Sequence, residues 1–132
     1  MHKIKYLVVH CSDSPNYRDT VDAAEIHRWH LQRGFDGIGY HFVILRNGIL
    51  ENGRPIYWQG AHCEKVNDCS LGICLVGRDE FTQEQMDELA KLLGMLTAIY
   101  PNAEVKGHYQ FDDRKTCPNF DVEKWWKGVR NG

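Results

Sequence analysis

The chain has 132 residues and a formal net charge of −2, from 16 Lys+Arg against 18 Asp+Glu. That length sets a single domain, residues 1–132, with one sizeable core, and 42% hydrophobic with 26% charged residues excludes a disordered chain. The near-neutral balance lacks the basic footprint of a nucleic-acid binder, and no apolar run approaches the roughly 20 residues that cross a bilayer.

Ile4 to Val9 is β-branched and apolar, which predicts a buried strand that delivers His10 at its end. Turn formers fill residues 11–16, and a helix is expected from about Val21 to Arg33. Thr20 is its expected cap, Ile26, Trp29 and Leu31 its apolar surface, and Gly34 the residue past its end. Tyr40 to Leu45 reads as a second strand. Arg46-Asn47-Gly48-Ile49 then reads as a hairpin turn into a third, because Asn-Gly tolerates positive φ. Ser70 to Val76 is a fourth strand whose Ile73-Cys74-Leu75-Val76 run predicts burial on both faces. Thr82 and Gln85 fit a capping box, with Phe81 and Met86 at the flanking staple positions. Met86, Leu89, Leu93, Leu96 and Tyr100 mark one apolar helix face, which Pro101 ends. Glu104 to Lys106 forms a short strand running into His108, and Asp121 caps a last helix whose Val122, Trp125, Trp126 and Val129 are expected to face inward. Strands alternating with packed helices imply an α/β domain, a sheet with helices on its faces.

Five cysteines and seven histidines are the unusual counts. An odd number of cysteines cannot all pair within one chain, and the apolar stretch in residues 1–10 is too short for a secretory signal. Reduced thiols or metal ligands are therefore expected in place of a disulfide framework. His10 and His108 sit at strand ends and Cys117 in the following loop, where side chains are aimed outward from rigid elements. Two imidazoles and a thiolate suit Zn²⁺, with a fourth position left for water. The spacing alone favours the plainer reading of two strand-end histidines and a loop thiol.

Five motifs occur in one order: Val8-Val9-His10-Cys11-Ser12, Gly39-Tyr40-His41-Phe42-Val43-Ile44, Gly60-Ala61-His62, Ser70-Leu71-Gly72-Ile73 and Lys115-Thr116-Cys117-Pro118-Asn119-Phe120-Asp121. Together they resemble the zinc N-acetylmuramoyl-L-alanine amidases, the family that includes the peptidoglycan recognition proteins. The phage members are closest, including in Cys74-Leu75-Val76-Gly77. The resemblance runs from Leu7 to Trp126 and implies a central mixed sheet flanked by helices. It implies His10, His108 and Cys117 as zinc ligands, Tyr40 and Lys115 at the two catalytic positions, and His62 in a motif that lines the substrate cleft. The implied reaction is hydrolysis of the amide between the lactyl group of N-acetylmuramic acid and L-alanine. In the muropeptide-recycling branch a Glu occupies the position of Cys74 and an Asp that of Cys117, so the chain resembles the phage and recognition-protein branch more.

Other residues carry plainer readings. His41 follows Tyr40 in a strand and is expected on the opposite face. His27 and His30, three apart on one helix, are close enough to chelate a metal but read more simply as packed or solvated. His2 is expected to be disordered. Cys11 reads as a small buried apolar residue turned away from the site by alternation. Cys63 and Cys69 bracket a loop and would pair only in an oxidising compartment. Trp29, Trp125 and Trp126 are expected in the core, while Trp58 fits either the core or the cleft border.

The resemblance makes a phage or prophage endolysin the leading expectation: a monomer made in the cytoplasm that acts on periplasmic peptidoglycan after release, with no nucleic-acid or membrane partner. The alternatives are a cytoplasmic muropeptide-recycling amidase and a non-catalytic peptidoglycan-binding module. One phage enzyme that the chain resembles also inhibits its phage RNA polymerase, through the segment before the first zinc ligand. Only nine residues precede His10 here, which argues against transfer of that role.

Overall fold

A computed structural model describes residues 3–132, so His2 lies outside the described residues. Five strands, β1 (Tyr6–Cys11), β2 (Phe42–Ile44), β3 (Leu50–Asn52), β4 (Ser70–Leu75) and β5 (Glu104–Gly107), form one mixed sheet in the order β3-β2-β4-β1-β5. Only the β2–β3 pair is antiparallel. That hairpin turns at Gly48, whose φ of +88° is the left-handed conformation expected of the Asn-Gly pair. The helices are α1 (Ala23–Gln32), α2 (Gln83–Ile99) and α3 (Val122–Asn131), with short 3-10 helices at Glu64–Cys69 and His108–Gln110.

The period-2 pattern of the strands assigns the faces. Leu7 and Val9 of β1 join Leu71, Ile73 and Leu75 of β4 in one core with Leu89, Leu92, Leu93 and Leu96 of α2 and Val122 and Trp126 of α3. The opposite face carries two smaller clusters. Val43, Cys74 and Val76 pack with Ile26 of α1, and Val8 packs with Cys63 and Val66 beside the first 3-10 helix. β4 lies in the middle of the sheet and is buried along its whole length, as its apolar run predicts.

Several local expectations change. Asp22, one turn-residue pair beyond Thr20, caps α1 by accepting from Glu25 N–H at 2.9 Å. Leu31 and Val129 face solvent, because the helix stripes that pack on the sheet leave them on the outer side. Regular β2 begins at Phe42, although hydrogen bonding extends back to Tyr40 through His41 N–H to Gly72 O (2.9 Å) and Arg54 N–H to Tyr40 O (2.8 Å). Trp29 is only half-buried, and Trp58 is exposed, neither in the core nor on the main cleft. All five cysteines, including Cys63 and Cys69, are free thiols.

The α2 capping box does more than end a helix. Gln85 is fully buried; its Oε1 accepts from Thr82 N–H at 3.0 Å and from Arg46 at 3.1 Å. Its Nε2 donates to Ile44 O at 3.1 Å and to Val76 O at 2.8 Å. One amide thus ties the start of α2 to the ends of β2 and β4. Gln85→Ala should lower unfolding free energy by about 2–4 kcal/mol, because it strands buried carbonyls, whereas exposed Gln83→Ala should cost under about 0.5 kcal/mol. Urea denaturation of both variants checks this.

Candidate active site and metal centre

Parallel pairing of β1 with β5 puts Val9 opposite Gly107, so the next residues, His10 and His108, emerge side by side at the carboxyl edge of the sheet. In open α/β sheets this edge is where ligands bind. The two rings lie 4.5 Å apart between centroids. Cys117 is brought to them by a stapled loop: Tyr109 N–H donates to Cys117 O at 3.1 Å, and Asn119 N–H to Thr116 O at 2.8 Å. The Cys117 Sγ accepts Cys11 N–H at 2.8 Å. One ligand atom from each of His10, His108 and Cys117 lies within 4.8 Å of the others, a nitrogen–nitrogen–sulfur set suited to a tetrahedral divalent ion.

The three open into a cleft of about 970 Å³. Tyr40 lines it, its ring 5.1 Å from that of His10, and Lys115 reaches it from the loop before Cys117. His62 also lines it, but both of its ring nitrogens are engaged: Nδ1 with His10 Nε2 at 2.8 Å and Nε2 with Ser70 Oγ at 3.2 Å. All six residues singled out in the sequence therefore meet at one place. His41 does not line the cleft. It takes Gly72 N–H on Nδ1 at 3.0 Å and bonds Trp58 O through Nε2 at 2.8 Å, its ring stacked edgewise on His62. Cys11 is buried as expected, yet it lines the cleft beside Cys117, because its strand ends there and alternation no longer turns it away.

The far wall was less legible. Arg18, Trp29, His30, Arg33 and Phe35 line it, with the Arg33 guanidinium 5.1 Å above the Phe35 ring. His27 and His30 take the plainer of their two readings, His30 buried and His27 largely exposed. His27 Nδ1 accepts Ile38 N–H and His30 Nδ1 accepts Gly39 N–H, both at 2.9 Å, so α1 holds the backbone that presents Tyr40.

Electrostatics follow from burial. Desolvation holds His10 well below the usual imidazole range, and the facing His62 and His108 add to this. His62 is lowered to about 3, chiefly by burial. Burial keeps the Tyr40 phenol protonated well above its ordinary range. Cys74 lies fully buried in the cluster on which Tyr40 packs, and burial keeps its thiol neutral. The Cys11 thiol, together with burial, pushes the Cys117 thiol up; a coordinated metal ion reverses that preference by binding the thiolate.

Comparison with known proteins gives the family. The family model for N-acetylmuramoyl-L-alanine amidase matches residues 1–120. The chain belongs to that family. It is 37% identical to the endolysin of Escherichia phage T7 over 129 residues, covering 92% of this chain and 84% of that one. It is 35% identical to peptidoglycan-recognition protein LB of Drosophila melanogaster over 127 residues, 86% of this chain and 53% of the other. Among solved structures, an endolysin N-acetylmuramoyl-L-alanine amidase from Clostridium intestinale superposes with a TM-score of 0.86 at 29% identity, covering 97% of this chain and 84% of that one. The amidase is thus an enzyme of this fold, with the expected mixed sheet and flanking helices.

The neutral histidines make its stability pH-dependent. His30 is lowered to about 4, chiefly by burial. An imidazole with a folded pKa below its unfolded value of about 6.5 contributes fully above pH 6.5 and loses that contribution as pH falls towards 4. Urea titrations of metal-free protein should show stability falling across that window. His30→Gln should flatten the slope by up to about 1.4 kcal/mol per pH unit, the value of one proton.

Proposed function

We propose that this amidase is a zinc-dependent phage or prophage endolysin that hydrolyses the bond between N-acetylmuramic acid and L-alanine. The observation that carries the reading is the meeting of His10, His108 and Cys117 in the same cleft as Tyr40 and Lys115. His10, His108 and Cys117 would hold the ion; when bound, zinc supplies Lewis acidity toward the scissile carbonyl and lowers the pKa of water from 15.7 towards about 7. The protein's own groups complete the chemistry. Addition to the amide carbonyl places negative charge on its oxygen, and Lys115 brings a cation to the cleft to meet it. Tyr40, kept protonated by burial, donates to the same oxygen or passes a proton to the leaving nitrogen. Water adds across the amide, leaving a lactyl carboxylate on the glycan and a free amine on L-alanine.

Cys74 and Cys117 speak against the recycling branch, whose carboxylates they replace, and Cys117 against a module that only binds. His62 offers the substrate a ring face, since its nitrogens are already bonded. Such an enzyme works as a monomer on periplasmic peptidoglycan once the inner membrane has been opened.

Mass spectrometry of digested sacculi should show stem peptides with a free L-alanine amine, and a chelator should abolish them. Cleavage at another bond, or cleavage insensitive to the chelator, overturns the reading. Tyr40→Phe and Lys115→Ala should each retain bound zinc while turnover falls about 10²–10³-fold, the scale of losing one oxyanion partner. Zinc analysis with steady-state kinetics checks both.

A further inference from the structure

The hydrogen bonds beneath the cleft run in one direction, and the direction is fixed at the far end. The Val66 carbonyl can only accept, so the Ser70 hydroxyl, 2.6 Å away, donates to it. With its proton committed, Ser70 Oγ serves His62 Nε2 as an acceptor at 3.2 Å, which places the His62 ring proton on Nε2. Neutral His62 then presents a bare Nδ1 to His10 Nε2 at 2.8 Å, and His10 must be the donor. Its own Nδ1 is left unprotonated, the lone pair a metal needs.

The ring of His62 is held for this task. Its backbone N–H and that of Cys63 both donate to Asn67 Oδ1, at 2.9 and 2.8 Å. The ring lies directly over Gly72 of β4, where a Cβ would come within 2.5 Å of it. Ser70 and Gly72 are alternate residues of one strand, so the same face supplies both the hydrogen bond and the space.

We infer that His62 is a positioning residue, polarised by Ser70 and Val66, that fixes ligand His10 in the Nε2–H tautomer and so presets its Nδ1 for the metal. The metal part rests on the zinc-amidase reading; the tautomer part stands on the hydrogen bonds alone. Partners of this kind orient a metal-bound imidazole and raise its basicity, and their loss typically weakens metal binding about 10–100-fold.

Long-range ¹H–¹⁵N correlation spectra of the metal-free wild-type protein at neutral pH read the tautomers directly. Both His10 and His62 should carry the proton on Nε2; an Nδ1–H form of either ring overturns the inference, whether or not the protein binds zinc. Zinc affinity, measured by competition with a chromophoric chelator, tests the consequence. His62→Ala should bind zinc about 10–100-fold more weakly. His62→Asn, whose Oδ1 can still accept from His10, should recover most of that loss while a merely space-filling role predicts no such recovery. Wild-type affinity in His62→Ala, or equal weakness in both variants with metal-free melting temperatures alike, overturns it. A wild-type protein with the expected tautomers but no zinc affinity would instead overturn the zinc-amidase reading. Should His62→Ala fail to fold, the wild-type spectra decide.

Discussion

The parallel pairing of β1 with both β4 and β5 is the constraint on which the site depends. Side-by-side parallel strands end at the same edge, so residues nearly a chain length apart, His10 and His108, emerge as neighbours without any loop having to carry them there. The same pairing sets Gly72 and Ser70 of β4 beside β1, one residue type giving room for the His62 ring and the other its acceptor. A slip of β1 by one residue would send His10 into the leucine core under α2. Most of the packing that makes that slip costly is the leucine-rich core on the far face, with two smaller apolar clusters on the site face. The larger core and the chemistry therefore lie on opposite faces, and the sheet register couples them.

Imidazole serves a second purpose on the site face. Besides its place in the candidate metal site, it is used as a backbone acceptor at His27, His30 and His41, each taking an N–H from the segment around Tyr40 or from β4. A neutral imidazole offers one acceptor and one donor on a rigid ring, which can bridge a helix to a loop or a loop to a strand. Burial holds His30 and His41 in the uncharged form that this use requires. The scaffold that presents Tyr40 is thus sensitive to acid.

How much of this was legible depended on whether a residue acts through local pattern or through tertiary contact. The α2 capping box, the Asn-Gly turn and the double burial of β4 are local rules, and the chain obeys them. The six site residues were legible because motif order, through family resemblance, stands in for the contacts of a fold. Leu31 and Val129 were misread because an apolar residue on a short helix does not reveal which side the sheet lies on. Cys11 escaped because alternation holds only while a strand continues, and here it ends. His30 and Ser70 were out of reach for a stricter reason: their partners, Gly39 N–H and the His62 ring, exist as neighbours only after the chain has folded.

The absence of a carboxylate beneath Tyr40 bears on how protons move. At the place where the recycling branch has a Glu, Cys74 is fully buried with its thiol held neutral, so it has no role as a base at neutral pH. The acids that do line the cleft are Asp13 and Glu64; Asp13 is exposed and paired with Arg78, and Glu64 is exposed. The cleft is also lined by the Tyr40 phenol, the Lys115 side chain and the imidazoles of His10, His62 and His108. His10 and His62 are tied into the chain that ends at Val66, with their protons committed to hydrogen bonds. On the function proposed above, proton traffic between water and leaving nitrogen would then rest with Tyr40 and Lys115 jointly, because a buried neutral thiol stands where a carboxylate base would be needed.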